Sequence, residues 1–188
     1  MLKYISRTAM VIAILIIFTT LGIAGQYYND SNTLIKPKFS QLTPEIQKEV
    51  SCLASNIYFE ARNEPMDGQI AVAFVTINRV NSPDFPDTIC DVVKQKTKTV
   101  CQFSWYCESK PKGQHYNMLL TKNNTSMYNQ VLETAIYVYA NQDKIKDPTN
   151  GSLYFNANYV KPNWKHLDRY AAIGRHIFYK EGNNNDGK

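Results

Sequence analysis

The run Ile70-Ala71-Val72-Ala73-Phe74-Val75 carries no polar side chain on any face. A helix that is apolar all round is stable only when the rest of a fold wraps it, so this run predicts a central helix. The pattern carries it to about Val80, and Asp67 is placed to cap its start. Pro65 stands just ahead, and the residue before a proline is pushed out of the helical region. A preceding helix therefore ends near Asn63-Glu64. Its start is marked by Thr43 as cap, Pro44 in the first turn and Glu45 at the positive end of the dipole. Ile46, Val50, Leu53 and Ile57 follow at helical spacing and give it one apolar stripe.

Glu60 falls one turn past Ile57, on the edge of that stripe. Partial desolvation favours a protonated carboxyl, and the C-terminal end of the helix dipole opposes a negative charge there. A carboxyl that keeps its proton near neutral pH is what a general acid requires. The competing reading is a solvated surface glutamate, with Arg62 and Glu64 as an exposed ion pair of little energetic weight. Residues 60–64 on their own leave both readings open.

Downstream, residues 81–86 (Asn-Ser-Pro-Asp-Phe-Pro) read as a loop. A short helix is expected over 88–95, with Thr88 and Asp91 spaced as a capping box. No period is visible from 96 to 117, where Cys101-Gln102-Phe103-Ser104-Trp105-Tyr106-Cys107 forms an aromatic loop and His115 reads as a plain loop residue. That loop suits either a cleft wall that stacks on sugar rings or a satellite core cluster. A third long helix starts at Asn124 or Thr125 and runs to about Asp143, burying Tyr128, Val131, Leu132, Ala135, Ile136 and Tyr139. Two short strands are expected, at 152–156 and 174–179, joined through 159–168. Helices first and a small sheet late make the fold class α+β.

The N-terminus gives an address. Lys3 and Arg7 precede an uncharged apolar run over residues 8–25. This pattern is an export signal or a single membrane anchor, and its length is near the minimum of about 20 residues for a spanning helix. Gly22-Ile23-Ala24 offers small residues for cleavage after Ala24, and a retained run tethers the chain to the inner membrane. In both cases the remainder lies outside the cytoplasm, in the periplasm or cell envelope. Residues 26–42 read as a polar linker, 43–181 as the folded domain and 182–188 as a disordered tail. All four cysteines follow the export segment, and an even count in an exported domain points to disulfides. Of three connectivities, Cys101–Cys107 with Cys52–Cys90 is favoured because the first pair is close within one loop.

Several chemistries are set aside. H-E-x-x-H, G-x-S-x-G and P-loop patterns are missing from the sequence, and His115, His166 and His176 have no metal-ligand spacing. No cofactor or metal is expected. Nucleic acid is not expected as a partner, because there is no basic helix or aromatic RNA-binding motif. The net charge of +5 favours an anionic polymer without choosing among them.

Residues 51–180 resemble the cell wall hydrolase family that includes the bacterial spore cortex-lytic enzymes. The likeness is carried by Tyr58-Phe59-Glu60-Ala61-Arg62-Asn63-Glu64-Pro65 and Gly68-Gln69-Ile70-Ala71-Val72-Ala73. It continues through Asn78-Arg79-Val80, Ser82-Pro83-Asp84-Phe85-Pro86 and Cys101-Gln102-Phe103-Ser104-Trp105. Tyr159-Val160-Lys161-Pro162-Asn163-Trp164 and Ile173-Gly174-Arg175-His176-Ile177-Phe178-Tyr179 complete it. Two positions depart from the family pattern: Asn63 stands where many members have Gly, and Asn156 where many relatives have His.

The resemblance implies a lysozyme-like domain that cuts peptidoglycan glycan strands, with the family's catalytic glutamate at Glu60. An ordinary glycosidase uses two carboxylates, and the sequence offers only Glu64 as a second. One glutamate suffices if the sugar's own 6-hydroxyl is the nucleophile, which makes a lytic transglycosylase the leading expectation. A water-using muramidase and a non-catalytic wall-binding protein are the alternatives. Expected cleft contacts are Glu64, Gln69, Tyr154, Asn156 and Trp164.

Overall fold

The computed structural model describes residues 33–98, 100–107 and 122–182. The chain divides after Ile35, and the elements below all belong to the unit that begins at Lys36. The apolar run 8–25, His115 and the tail beyond Gly182 lie outside the described residues. Within the stretch expected as linker, a 3-10 turn over Phe39–Gln41 packs Phe39 and Leu42 against the core. The Gln47 amide holds it by donating to the carbonyls of Phe39 (3.2 Å) and Leu42 (2.9 Å).

Helix α1 spans Pro44–Ala61 and is capped as expected, Thr43 Oγ1 accepting from the Ile46 N–H at 3.4 Å. Its stripe of Val50, Leu53, Ala54, Ile57, Tyr58 and Ala61 is buried. Helix α2, Met66–Val80, is the central helix, with residues Ala71 to Ile77 all buried. Its cap is Pro65, whose extended backbone leads into the helix, and Asp67 lies inside the first turn. There Asp67 acts through its charge on the dipole and not as a cap. Helix α3, Ile89–Lys94, is capped by Thr88, which accepts from the Asp91 N–H at 3.1 Å and donates its hydroxyl to the Asp91 carboxylate at 2.8 Å. A single helical turn, α4 (Ser104–Cys107), occupies part of the segment without a period. Helix α5 spans Lys122–Asn141. Its buried positions are Val131, Thr134, Ala135, Ile136, Val138 and Asn141, while Tyr128, Leu132 and Tyr139 are half-buried at the margin. Thr134 took a place in the stripe that hydrophobicity alone assigned to its neighbours. Helices α1, α3 and α5 all pack on α2, which explains why its run 70–75 is apolar on every face.

The sheet has three strands and not two: β1 (Tyr154–Ala157), β2 (Leu167–Ile173) and β3 (His176–Glu181), in the antiparallel order β1-β3-β2. Strand β2 takes up the end of the expected connection. It was hidden because only Leu167 is buried, and a register shift between Arg169 and Ala171 breaks the alternation. Ile173 pairs with His176, so Gly174-Arg175 is a two-residue hairpin loop. Gly174 has φ 57°, the positive φ that such tight hairpins need.

Phe178 of β3 is fully buried in the helical core. Polar ties join α2 to the sheet. The Asn78 amide donates to Asp147 (2.9 Å) and to the Ser152 carbonyl (3.2 Å), and Arg79 Nε donates to the Leu153 carbonyl (2.8 Å). Both expected disulfides form, Cys52–Cys90 between α1 and α3 and Cys101–Cys107 across the aromatic loop. Among the described residues no helix is long and apolar enough to cross a membrane.

Candidate active site

The last turn of α1 and the turn into α2 hold the candidate residues. Ala61 and Tyr58 face the core, which leaves Glu60 half-buried at the margin. Phe59, beside it, stacks on Trp105 with ring centroids 4.5 Å apart. The aromatic loop packs on the core instead of forming a separate cluster. Phe103 is buried in the core, and Trp105 is a half-buried surface over α1. Arg62 turns back on its own helix, donating to the Tyr58 carbonyl at 3.3 Å with its guanidinium 5.0 Å from the Tyr58 ring centroid.

Glu64 does not pair with Arg62. Its partner is Arg175 in the β2–β3 loop: the Arg175 backbone N–H donates to Oε2 and its Nε to Oε1, both at 2.8 Å. Arg175 also donates to the Asn63 carbonyl at 3.3 Å. The carboxylate is buried, and burial pushes its pKa up. The two Arg175 hydrogen bonds and the charges of Arg175 and His176 outweigh this, so the net shift is downward. Glu64 is therefore an ionised, hydrogen-bonded group at neutral pH.

Gln69 spans the gap between turn and helix bundle. Its amide donates to the Glu64 carbonyl and its oxygen accepts from the Thr134 hydroxyl, both at 3.2 Å. These bonds brace the start of α2.

Arg79 is a residue that the sequence reading missed. It is buried, and its guanidinium lies 5.0 Å from the Phe103 ring, 5.3 Å from Phe85 and 6.0 Å from Tyr154. Burial pushes its pKa down to about 10, opposed by Tyr154 and by Glu60. It stays a cation at neutral pH, and Glu60 lies within its field. A charge one turn past the apolar run 70–75, in a helix wrapped by its neighbours, was the signal that could have found it.

Tyr154 and Trp164 are brought together, their rings 6.2 Å apart, and Trp164 meets Tyr179 edge-on at 5.4 Å. Burial raises the Tyr154 pKa, as do the charges of Glu181 and Asp84, with Arg79 opposing. Asn156 directs its amide N–H groups to the carbonyls of Ala157 (2.7 Å) and Val160 (2.8 Å). Among the described residues no group of three His, Cys, Asp or Glu side chains is placed to hold a metal ion.

Residues 63–179 match the cell wall hydrolase family. The chain belongs to that family. The spore cortex-lytic enzyme of Bacillus cereus is 33% identical over 136 residues, 71% of this chain and 45% of that protein. The spore cortex-lytic enzyme of Halalkalibacterium halodurans is 32% identical over 132 residues, 69% of this chain and 34% of that protein. This cell wall hydrolase chain thus spans less than half the length of these curated relatives. Among solved structures, the catalytic domain of the germination-specific lytic transglycosylase SleB from Bacillus anthracis is 26% identical. It aligns over 71% of this chain and 95% of that domain with a TM-score of 0.48.

Proposed function

We propose that this domain is a lysozyme-like enzyme that cleaves the glycan strands of peptidoglycan as a lytic transglycosylase, with Glu60 as its one acid/base. The observation that carries this reading is the division of labour between two glutamates four residues apart. Both Glu64 oxygens are bonded to Arg175, so Glu64 is committed to a structural pair. Glu60 sits half-buried at the helix end in the block that resembles the family's catalytic segment. With a single acting carboxyl, the nucleophile must come from the substrate or from water.

In the substrate-assisted course Glu60 gives its proton to the glycosidic oxygen as the bond from C1 to that oxygen breaks. The 6-hydroxyl of the same muramic acid then attacks C1. Its proton returns to the Glu60 carboxylate, leaving a 1,6-anhydro ring and a restored acid. The positive field of Arg79 favours the carboxylate that forms midway. Tyr154, Asn156, Trp164 and Gln69 are the proposed margins of the glycan cleft. The name of the curated relatives, spore cortex-lytic enzyme, supports a wall substrate. The basic flank and apolar run over 8–25 support export to the cell envelope, with the membrane as a partner if the run is retained.

The test is digestion of purified peptidoglycan by the wild type and by Glu60→Gln, read by mass spectrometry. Anhydro-muropeptides from the wild type alone are expected. Reducing ends instead would replace the transglycosylase by a muramidase. Wall binding without released fragments would leave a non-catalytic binder.

A further inference from the structure

We propose that Glu64 is a positioning residue whose pair with Arg175 sets Tyr159 relative to Glu60, and that Tyr159 is a stacking platform for a sugar ring of the glycan. This rests on the reading of Glu60 as the acid/base. Three observations carry it.

First, the surroundings of Glu64 are built for that side chain. A Cβ added to Gly68 would stand 2.9 Å from the Glu64 Cβ, and one added to Gly174 would strike Oε2. Two glycines from separate elements thus leave room for one carboxylate. Gly174 also needs its positive φ for the hairpin.

Second, Arg175 passes the restraint on. Its N–H and Nε hold Glu64, and its carbonyl accepts from the Asn158 N–H at 2.8 Å. Asn158 lies in a tight turn closed by Val160 N–H to the Ala157 carbonyl at 2.8 Å. Asn156 staples both of those residues, through the carbonyls of Ala157 and Val160. An unbroken hydrogen-bonded path therefore runs from the turn after Glu60 to residues 157–160.

Third, the tip of that turn is apolar and open. Tyr159 is 82% exposed and Val160 is 45% exposed. The Tyr159 ring is a flat face in water, carried on a turn whose backbone four hydrogen bonds hold. The C–H face of a sugar ring matches such a surface, and the order of the loop has been set before binding.

The experiment uses the full chain on solubilised glycan strands, with kcat, KM and pH profiles for Tyr159→Ala, Glu64→Gln, Arg175→Ala and their pairs. Assays are run well below each variant's unfolding midpoint. Tyr159→Ala is expected to raise KM about tenfold with kcat kept. Glu64→Gln and Arg175→Ala are each expected to lower kcat/KM about tenfold, and their combination no further, because the two act as one unit. Both keep the shape of the wild-type pH profile. Tyr159→Ala adds less to Glu64→Gln than it costs alone.

Loss of turnover and of one pH limb in Glu64→Gln, with Arg175→Ala active, would make Glu64 the second carboxylate and overturn the proposal. Wild-type kcat/KM in folded Glu64→Gln would reduce the pair to a brace of the fold, and wild-type KM in Tyr159→Ala would remove the platform. Activity in Glu60→Gln is a separate result, which fails the acid/base reading and leaves these three outcomes to be read on their own.

Discussion

The Trp105 indole N–H donates across to Asn56 Oδ1 at 3.2 Å, joining the disulfide-closed aromatic loop to the first helix. The other end of the same amide donates to Thr76 Oγ1 at 3.0 Å, so Asn56 links three elements from a fully buried position. Such a bridge is stabilising only while complete, because each partner left behind is a desolvated polar group. Asn56→Ala is expected to lower stability by about 2 kcal/mol and to shift Trp105 fluorescence to the red. Urea unfolding with an unchanged midpoint would contradict the bridging role.

The two disulfides should differ in weight. The Cys52–Cys90 bond closes a separation of 38 residues and Cys101–Cys107 one of 6. Chain entropy gives roughly 4 kcal/mol for the first and roughly 2 kcal/mol for the second. Calorimetry of Cys52→Ala/Cys90→Ala beside Cys101→Ala/Cys107→Ala checks the order. Equal losses would count against a chain-entropy origin.

Acid should weaken the fold in two stages. Burial pushes the His176 pKa below its ordinary 6.5, and the Arg175 charge adds to this while Glu64 opposes it. The unfolded chain then binds the proton more readily, so stability falls as pH drops below about 6.5. The Glu64 pKa is depressed below 4.5, despite burial, by its bonds to Arg175. Its contribution is complete above 4.5 and is lost as pH falls through the folded value. His176→Phe should flatten the first stage, since it also removes the buried, unpartnered Nδ1. Unfolding midpoints measured from pH 7.5 to 3.5 report both stages, and an unaltered first stage in His176→Phe would assign it elsewhere.

Arg79→Lys keeps the charge and loses the plane. The guanidinium faces three rings and donates from Nε to Leu153, which an ammonium cannot reproduce. A loss of about 2 kcal/mol is expected. An unfolding midpoint equal to wild type would show that charge alone matters at this position.

The helices were legible because their signals are local. Ile46 to Ile57 repeats within one helix, and Thr43 and Thr88 cap within three residues. Strand β2 was not legible because Asp168, Arg169 and Tyr170 are exposed in succession, and a bulge follows. The Glu64–Arg175 pair was out of reach for another reason. The partners are 111 residues apart, and Arg62 was the nearer cation in sequence. Arg79 was readable in principle, since it stands one turn past the apolar run 70–75 of a helix that the fold wraps.

Strand β3 lies in the middle of the sheet and comes last among its strands. Both β1 and β2 pair with it and with no other described strand. During synthesis, then, the helix bearing Glu60 and the helix it packs on are complete long before any strand has a partner. The sheet assembles when residues 176–181 arrive, in the same segment that brings Arg175 to Glu64, so an interrupted chain carries Glu64 without its ion-pair partner.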